Sequence, residues 1–254
     1  MPIGTEASVA IMQTAGLVLA RVGSLFLTAP GFSQKQLPMQ VRAAFTMAFT
    51  CILIFTVQWL PKPLTASQLV VSIVMQVAMG FLQGLAFAII LAVVVAAGDL
   101  LDLSVGYAFA ALVDPAGDTT PHAIFSRLFN ILALLIFMAV GGHLWVLGAL
   151  IHSMQMVPLD ATQPNMSLLE LVIVQGANVL AGAFQMAAPV LVFLALIDVV
   201  GAVMSKSVPQ LQIMTVAFPI KICAGLVAVA WFLPTLVDGL TRALQHFYNI
   251  WTGS

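Results

Sequence analysis

The sequence predicts an all-α integral membrane protein built from long, kinked helices and helical hairpins. Hydrophobic residues make up 62% of the 254 residues and charged residues only 7%, whereas soluble domains average roughly 25% charged residues. The mean hydropathy is +1.12. Because so few charges leave too little polar surface to face water, lipid or other apolar protein has to cover the chain.

Six apolar runs, separated by prolines and charged residues, divide the chain. They span residues 7–28, 43–60, 69–97, 123–151, 168–204 and 213–236, and an amphipathic tail follows them. A membrane helix needs roughly 20 apolar residues, so the runs have the length of spanning helices. We expect residues 1–254 to form a single membrane-embedded domain.

Charged residues, prolines and glycines mark interruptions and ends in the first three runs. Arg21 interrupts the first run, and prolines end the second at Pro61, because proline does not continue a helix. The third run contains Gly80 and Gly84 in a GxxxG pattern. That spacing favours close approach of two helices, although it also arises by chance in an apolar run containing glycine.

Residues 98–121 carry aspartates but no lysine or arginine. Asp99 and Asp102 are three positions apart and would share one helical face. Paired carboxylates bind Mg²⁺ or relay protons, which would suit an intramembrane enzyme. A diphosphate-binding enzyme also needs basic residues, so we favour a helix end at the membrane boundary or pairing with an arginine.

An apolar stretch from Gly106 to Val113 lies between these aspartates and includes Tyr107 and Phe109. It is shorter than a membrane span. Two interpretations stay open: a re-entrant, plug-like segment, or an interfacial amphipathic turn.

The last two runs contain helix breakers and charges. The fifth is about 37 residues long, roughly 55 Å as a helix, so we expect a bend or hairpin at Pro189. The sixth contains Pro219 and Lys221. Irregular backbone at membrane depth is tolerated where it faces protein or a water-filled cavity, so both runs indicate packing into a larger assembly.

Asp198 and Lys221 are ionisable groups inside these two apolar runs. Such groups are costly in lipid and usually face the interior of a bundle, so a mutual salt bridge is one hypothesis. The alternative is a secondary transporter that binds an ion or substrate at these broken helices. A transporter of that kind should show an internal repeat, and the two halves show no clear one.

The sequence predicts no cofactor, metal or nucleic-acid site. The histidines lack HxxxH and HExxH spacing, and there is no phosphate-binding loop or dinucleotide fingerprint. The formal net charge is −1, so no basic stripe is present to bind a nucleic acid.

Several motifs, taken in order along nearly the whole chain, resemble one family. They are Ala20-Arg21, Ala29-Pro30-Gly31-Phe32, Val41-Arg42, Ala97-Gly98, Asp102, Gly106-Tyr107, Asp114-Pro115, Gly142-His143, Ser153, Pro158, Ala188-Pro189, Asp198, Pro209-Gln210 and Phe218-Pro219-Ile220-Lys221. The chain resembles the FliR family of flagellar export-gate proteins and their injectisome counterparts. Each motif alone is weak, but their order and spacing are specific.

The resemblance implies a non-enzymatic subunit without a cofactor in the bacterial inner membrane, at the flagellar basal body. It also implies assembly with FliP and FliQ into a pore, with FlhB and FlhA as further partners. Unfolded flagellar subunits would pass through this pore. The assembly could project above the bilayer plane, in which case counting spans would mislead about topology.

The family's plug segment corresponds to residues 104–115 here. The candidate residues for closing the pore are Gly106, Tyr107, Phe109, Leu112 and Val113. An apolar constriction excludes water and ions. We assign structural, charge-pairing roles to Arg42, Asp102, Asp114, Asp198 and Lys221, and packing or kink roles to Gly80, Gly84, Pro189 and Pro219.

Overall fold

The part of the chain that its computed structural model describes is mostly helical, with short connections between helices, and it contains no strand. The described residues are 3–32, 38–57, 59–105, 124–160, 170, 173–174, 179–207 and 213–252. The helices are α1 (Ile3–Thr28), α2 (Met39–Ile54), α3 (Ala66–Val105), α4 (Ile124–Ala139), α5 (Gly142–Met156), α6 (Val179–Ser207) and α7 (Ile213–Thr252). The predicted all-α class is confirmed.

Four described helices are long and apolar enough to cross a membrane, namely α1, α3, α6 and α7. The broken pair α4–α5 would make a fifth span if it counts as one. Helix α2 has 16 residues, about 24 Å at ~1.5 Å per residue, which is shorter than a hydrocarbon core of about 30 Å. The second apolar run therefore forms a helix too short to span alone.

Prolines do not interrupt the two C-terminal helices. Helix α6 continues through Pro189, and α7 continues through Pro219 and Pro234. Of the two possibilities that the sequence predicts at Pro189, a bend or a hairpin, the hairpin is wrong, because α6 is continuous across this residue. Proline removes one backbone donor, and in apolar surroundings the remaining helical hydrogen bonds are too costly to give up, so the helix persists. The same helix α7 also includes the amphipathic tail.

The fourth apolar run is divided where the sequence predicts continuity. Gly141 has a φ of 81° and precedes the first residue of α5. Its N–H donates to the carbonyl of Met138 at 3.1 Å, and its own carbonyl accepts from Leu144 at 2.8 Å. Because L-residues with a side chain rarely adopt this left-handed conformation, glycine permits the break between α4 and α5.

The chain divides into two compact units. Unit 1 comprises Met1–Ile89, Met138–Gly176 and Leu244–Ser254, and unit 2 comprises Ile90–Phe137 and Ala177–Ala243. Helices α3 and α7 contribute residues to both. The single domain over residues 1–254 stays a prediction.

In unit 1, α1 packs closely against α3 at the two glycines of the GxxxG pattern. A Cβ on Gly80 would collide with the Arg21 carbonyl oxygen, and a Cβ on Gly84 would lie 2.8 Å from the Leu25 carbonyl oxygen. Helix α2 packs on α1 through an edge-to-face contact of Phe26 with Phe49, whose ring centroids are 5.4 Å apart. Glycine therefore sets the distance between α1 and α3.

In unit 2, α4 buries one face. Phe125, Phe129, Ala133 and Phe137 recur every four positions and are buried, the spacing of one side of an α-helix. Leu135 and other residues of the opposite face are exposed. The amphipathic pattern of α4 thus orients its first turn toward the interior of unit 2.

Candidate functional site

Unit 2 contains a cluster of polar contacts made by residues that precede and follow residues 106–123 in the sequence. We call it the anchor cluster and define it as Asp102, Ser104, Phe125, Asp198 and Lys221. It joins the end of α3 to α6 and α7, and joins α3 to the start of α4. Its members form two groups.

Lys221 forms the first group with residues of two other helices. Its Nζ pairs with the Asp198 carboxylate and donates to the Ser104 carbonyl oxygen at 3.3 Å. The side chain of Lys221 is 14% exposed, and that of Asp198 is 55% exposed. The ammonium therefore links α6, α7 and the penultimate residue of α3.

Asp102 forms the second group with the start of α4. Its Oδ1 accepts the backbone N–H of Phe125 at 3.0 Å, and its Oδ2 accepts that of Ser126 at 2.8 Å. The first four N–H groups of a helix lack intrahelical acceptors, and a negative charge at that end is favourable. The carboxylate thus caps α4 from another helix, where the sequence suggested an arginine partner or a membrane boundary.

Two glycines allow α4 to approach this closely. A Cβ on Gly98 would lie 2.7 Å from Ser126 Cα, and a Cβ on Gly225 would lie 2.7 Å from Phe125 Cζ. Real Cβ atoms essentially never come that close. Phe125 is fully buried, so the first turn of α4 is held between α3 and α7.

The chemistry of the cluster is structural in the part of the chain described. Each charge of the Asp198–Lys221 pair neutralises the other, and both oxygens of Asp102 accept backbone hydrogen bonds. Asp99 is exposed. The described residues contain no group of three or more histidine, cysteine, aspartate or glutamate side chains that could hold a metal.

The residues predicted to close a pore are not among those the structure describes. Gly106, Tyr107, Phe109, Leu112 and Val113 lie outside the described residues, as does Asp114. Arg42 lies in the first turn of α2, half-buried, in unit 1. The structure thus brings Asp198 and Lys221 together and gives Asp102 a separate partner.

Sequence reasoning missed a second polar arrangement, which lies in unit 1 at the end of α5. Arg21 is fully buried, and its Nη1 donates to the Ser153 carbonyl at 2.9 Å while Nη2 donates to the Val157 carbonyl at 3.4 Å. Gln76 donates to the Leu159 carbonyl at 3.1 Å. The Ser153 carbonyl also accepts the backbone N–H of Val157 at 2.9 Å, so Arg21 is its second donor. The carbonyls of Val157 and Leu159 follow the last residue of α5 and accept from α1 and α3 instead.

A sequence signal for this arrangement was present in α3. Gln76 and Gln83 are amides seven positions apart in an apolar run, and both are fully buried. Gln83 donates to the Ala149 carbonyl at 3.3 Å. Residues separated by four and seven positions share one helical face, so the amides and Gly80 form a polar and small stripe.

Comparison with known proteins identifies the family. The sequence profile of the bacterial export proteins, family 1, matches residues 12–247. The chain belongs to this family. The FliR resemblance predicted from the ordered motifs is thereby confirmed.

Similar proteins from this export family span most of the chain. The flagellar biosynthetic protein FliR of Escherichia coli (strain K12) is 24% identical over 232 residues, covering 91% of this chain and 88% of that protein. The FliR protein of Caulobacter vibrioides is 26% identical and covers 95% and 96%. That of Bacillus subtilis (strain 168) is 27% identical and covers 83% and 82%. The match is therefore to whole proteins of similar length.

Proposed function

We propose that this chain is a non-enzymatic subunit of the flagellar type III protein export gate. In this proposal it assembles with FliP and FliQ into a pore, and FlhB and FlhA bind to the assembly. Unfolded flagellar proteins pass through this pore across the bacterial inner membrane at the flagellar basal body. Family membership over residues 12–247 supports a role in the export apparatus, and the similar proteins named FliR support the flagellar assignment.

The observation that carries the proposal is the anchor cluster. Lys221 binds the carbonyl of Ser104, two positions before residues 106–123, and Asp102 caps the helix that begins directly after them. A segment that closes a pore and yields to an exported chain needs fixed attachment points on both sides. The apolar residues at positions 107, 109, 112 and 113 would form the closure between those points.

Exposed apolar surface on α6 supports assembly with partner subunits. Val192, Leu196, Val199 and Val203 are each about 60% exposed, and their spacing of four, three and four positions forms one stripe. In the apolar stretch that gives α6 the length of a membrane span, only 17% is buried, compared with 50% in the corresponding stretches of α1 and α3. A heptad-like stripe of this kind fits a neighbouring helix.

The proposal is tested by affinity purification of the tagged chain from detergent-solubilised membranes, followed by native mass spectrometry. We expect a discrete hetero-oligomer that contains FliP and FliQ chains. A matched control replaces exposed Arg127 of α4 by glutamine, which should leave the complex unchanged, whereas Leu196→Glu on the exposed stripe should dissociate it. A well-folded monomer or homodimer would contradict the gate and favour a transporter that uses Asp198 and Lys221.

A further inference from the structure

A groove of about 360 Å³ lies between α6 and α7 within unit 2. Apolar residues of both helices line most of it, and Arg242, Gln185 and Thr235 add polar groups. We propose that this groove binds a membrane phospholipid, with the phosphate on Arg242 and an acyl chain along α7. The inference depends on the chain's location in a membrane and not on its place in an export gate.

Arg242 supplies the anion-binding group. It is exposed, and its Nε donates to the Asp238 carbonyl oxygen at 3.3 Å. That bond orients the side chain along α7 and leaves the Nη groups for a phosphate, which guanidinium groups bind with paired hydrogen bonds. The Asp238 residue that supplies this carbonyl lies four positions earlier and is also exposed. Among the described residues that line the groove, Arg242 is the one with a positively charged side chain.

The opposite wall offers hydrogen-bond acceptors. Pro189 and Gln185 both line the groove, and Pro189 has no N–H to donate to the Gln185 carbonyl four residues earlier. This carbonyl therefore lacks its usual intrahelical donor, and the exposed Gln185 side chain adds an amide oxygen as a second acceptor on the same wall. A phospholipid headgroup with an ammonium or hydroxyl group complements these acceptors and the guanidinium together.

The path for an acyl chain is an exposed strip of α7. Val227 is 66% exposed and Trp231 is 81% exposed, and the strip continues through Thr235 and Gly239 to Arg242 at helical spacing. No charged residue occurs from 227 to 236. From Val227 to Arg242 the helix rises roughly 22 Å at ~1.5 Å per residue, which is about the thickness of one leaflet with its headgroups.

The absence of a side chain at Gly239 keeps the groove open. A Cβ on Gly239 would meet only the end of the flexible Met186 side chain, at 3.6 Å. A larger side chain at this position would occupy the groove without forcing the helix backbones apart. Gly239→Leu is therefore a variant that blocks the proposed site while the fold is retained, which an unfolding curve checks.

The test is native mass spectrometry of the full-length protein, in whatever assembly state it purifies, after incubation with phosphatidylglycerol in detergent micelles. We expect the wild-type protein to retain one more phospholipid per chain than either Arg242→Gln or Gly239→Leu. The apparent affinity of Arg242→Gln for the phospholipid should be roughly 10-fold weaker, because the charge-assisted hydrogen bonds are lost. Arg242→Lys should recover part of the binding. Arg127→Gln, a matched change of an exposed arginine in the same unit, should bind as wild type does.

Other outcomes overturn the proposal. Equal phospholipid retention by wild type and Arg242→Gln shows that the arginine holds no headgroup. Equal retention of diacylglycerol, which lacks phosphate, shows an unspecific apolar surface, and binding of inorganic phosphate without lipid shows a free-anion site. If Gly239→Leu releases a partner subunit but leaves the lipid count unchanged, the groove is a protein contact.

Discussion

The carboxylate of Asp102 accepts the backbone N–H of Phe125 at 3.0 Å, although 23 positions separate the two residues. A residue in the last turn of α3 thereby caps the start of α4, the next helix among the described residues. Phe125 is fully buried between glycines of two other helices, so this hydrogen bond fixes a densely packed turn. Measurements can test this cap, three other contacts, and the pore-closing role proposed for Tyr107, Phe109, Leu112 and Val113.

Replacement of Asp102 by alanine should lower the free energy of unfolding by about 2 kcal/mol. Caps contribute up to about 2 kcal/mol, and bonds to a charged acceptor contribute about 1.5–3 kcal/mol. Thermal unfolding in detergent measures the change, and Asp102→Asn should fall between wild type and alanine. The control is Asp99→Ala, the removal of an exposed carboxylate from the same helix, which should stay within about 0.5 kcal/mol of wild type. Equal effects of both changes would contradict the capping role.

Replacement of Lys221 by methionine should lower the unfolding midpoint by about 2–4 °C, since a partly exposed ion pair contributes about 1 kcal/mol. The Ser104 carbonyl also loses its donor. We also expect Lys221→Met to reduce the secretion of flagellar subunits into the medium. The double exchange Asp198→Lys with Lys221→Asp restores the pair but not the bond to Ser104, so we expect partial recovery. If the exchange stays inactive while each single change is tolerated, the pair has no role.

Replacement of Gly84 by alanine should separate α1 from α3. The new Cβ would lie 2.8 Å from the Leu25 carbonyl oxygen and 2.9 Å from the Ala29 nitrogen, and such overpacking costs about 1–3 kcal/mol. Gly16→Ala provides the control, because no atom lies within 4 Å of the place its new methyl group would take and alanine favours a helix interior by about 0.5–1 kcal/mol. In unfolding curves, Gly84→Ala should lower the free energy of unfolding, whereas Gly16→Ala should raise it. An increase in stability for Gly84→Ala would contradict the close packing of α1 and α3.

Replacement of Arg21 by methionine should destabilise unit 1 by about 1–3 kcal/mol, the cost of a buried carbonyl that loses its donor. The Val157 carbonyl loses the guanidinium, whereas the Ser153 carbonyl keeps the backbone N–H of Val157. Arg21→Lys should recover little, since an ammonium does not reproduce the planar fork that reaches Ser153 and Val157. Exposed Arg127→Met removes the same charge from α4 and should change stability by less than about 0.5 kcal/mol. Hydrogen exchange at the end of α5 reports the loss locally.

Replacement of Tyr107, Phe109, Leu112 and Val113 together by serine should make the assembled gate leak ions, roughly severalfold above wild type, since a hydrated constriction no longer excludes water. The membrane potential of cells, followed with a fluorescent dye, measures the leak. Leu135→Ser, a similar change at an exposed residue of α4, serves as the control. A tight membrane with normal assembly would remove these residues from the closure.

The packing around the anchor cluster could be anticipated only in part. The presence of charges at Asp198 and Lys221 inside apolar runs indicated buried partners, because isolated charges are costly there. The Ser104 carbonyl could not be anticipated, since it is a backbone group that any residue carries. The cap on α4 was missed for a similar reason, because the acceptor lies on a different helix from the donors.

By itself the sequence determined the all-α membrane class and the family, because composition and motif order do not depend on how helices meet. A chain with 7% charged residues has to place its helices in lipid or against apolar protein. Only the tertiary structure decided that α6 continues through Pro189, that α4 and α5 separate at Gly141, and that Arg21 binds the end of α5. The Arg21 contact depends on which distant backbone groups the fold brings within hydrogen-bonding range, and such proximity has no local signal in the chain. Glycine at 141 permits a break and proline at 189 permits a kink, but neither residue requires one, so the sequence alone does not decide either outcome.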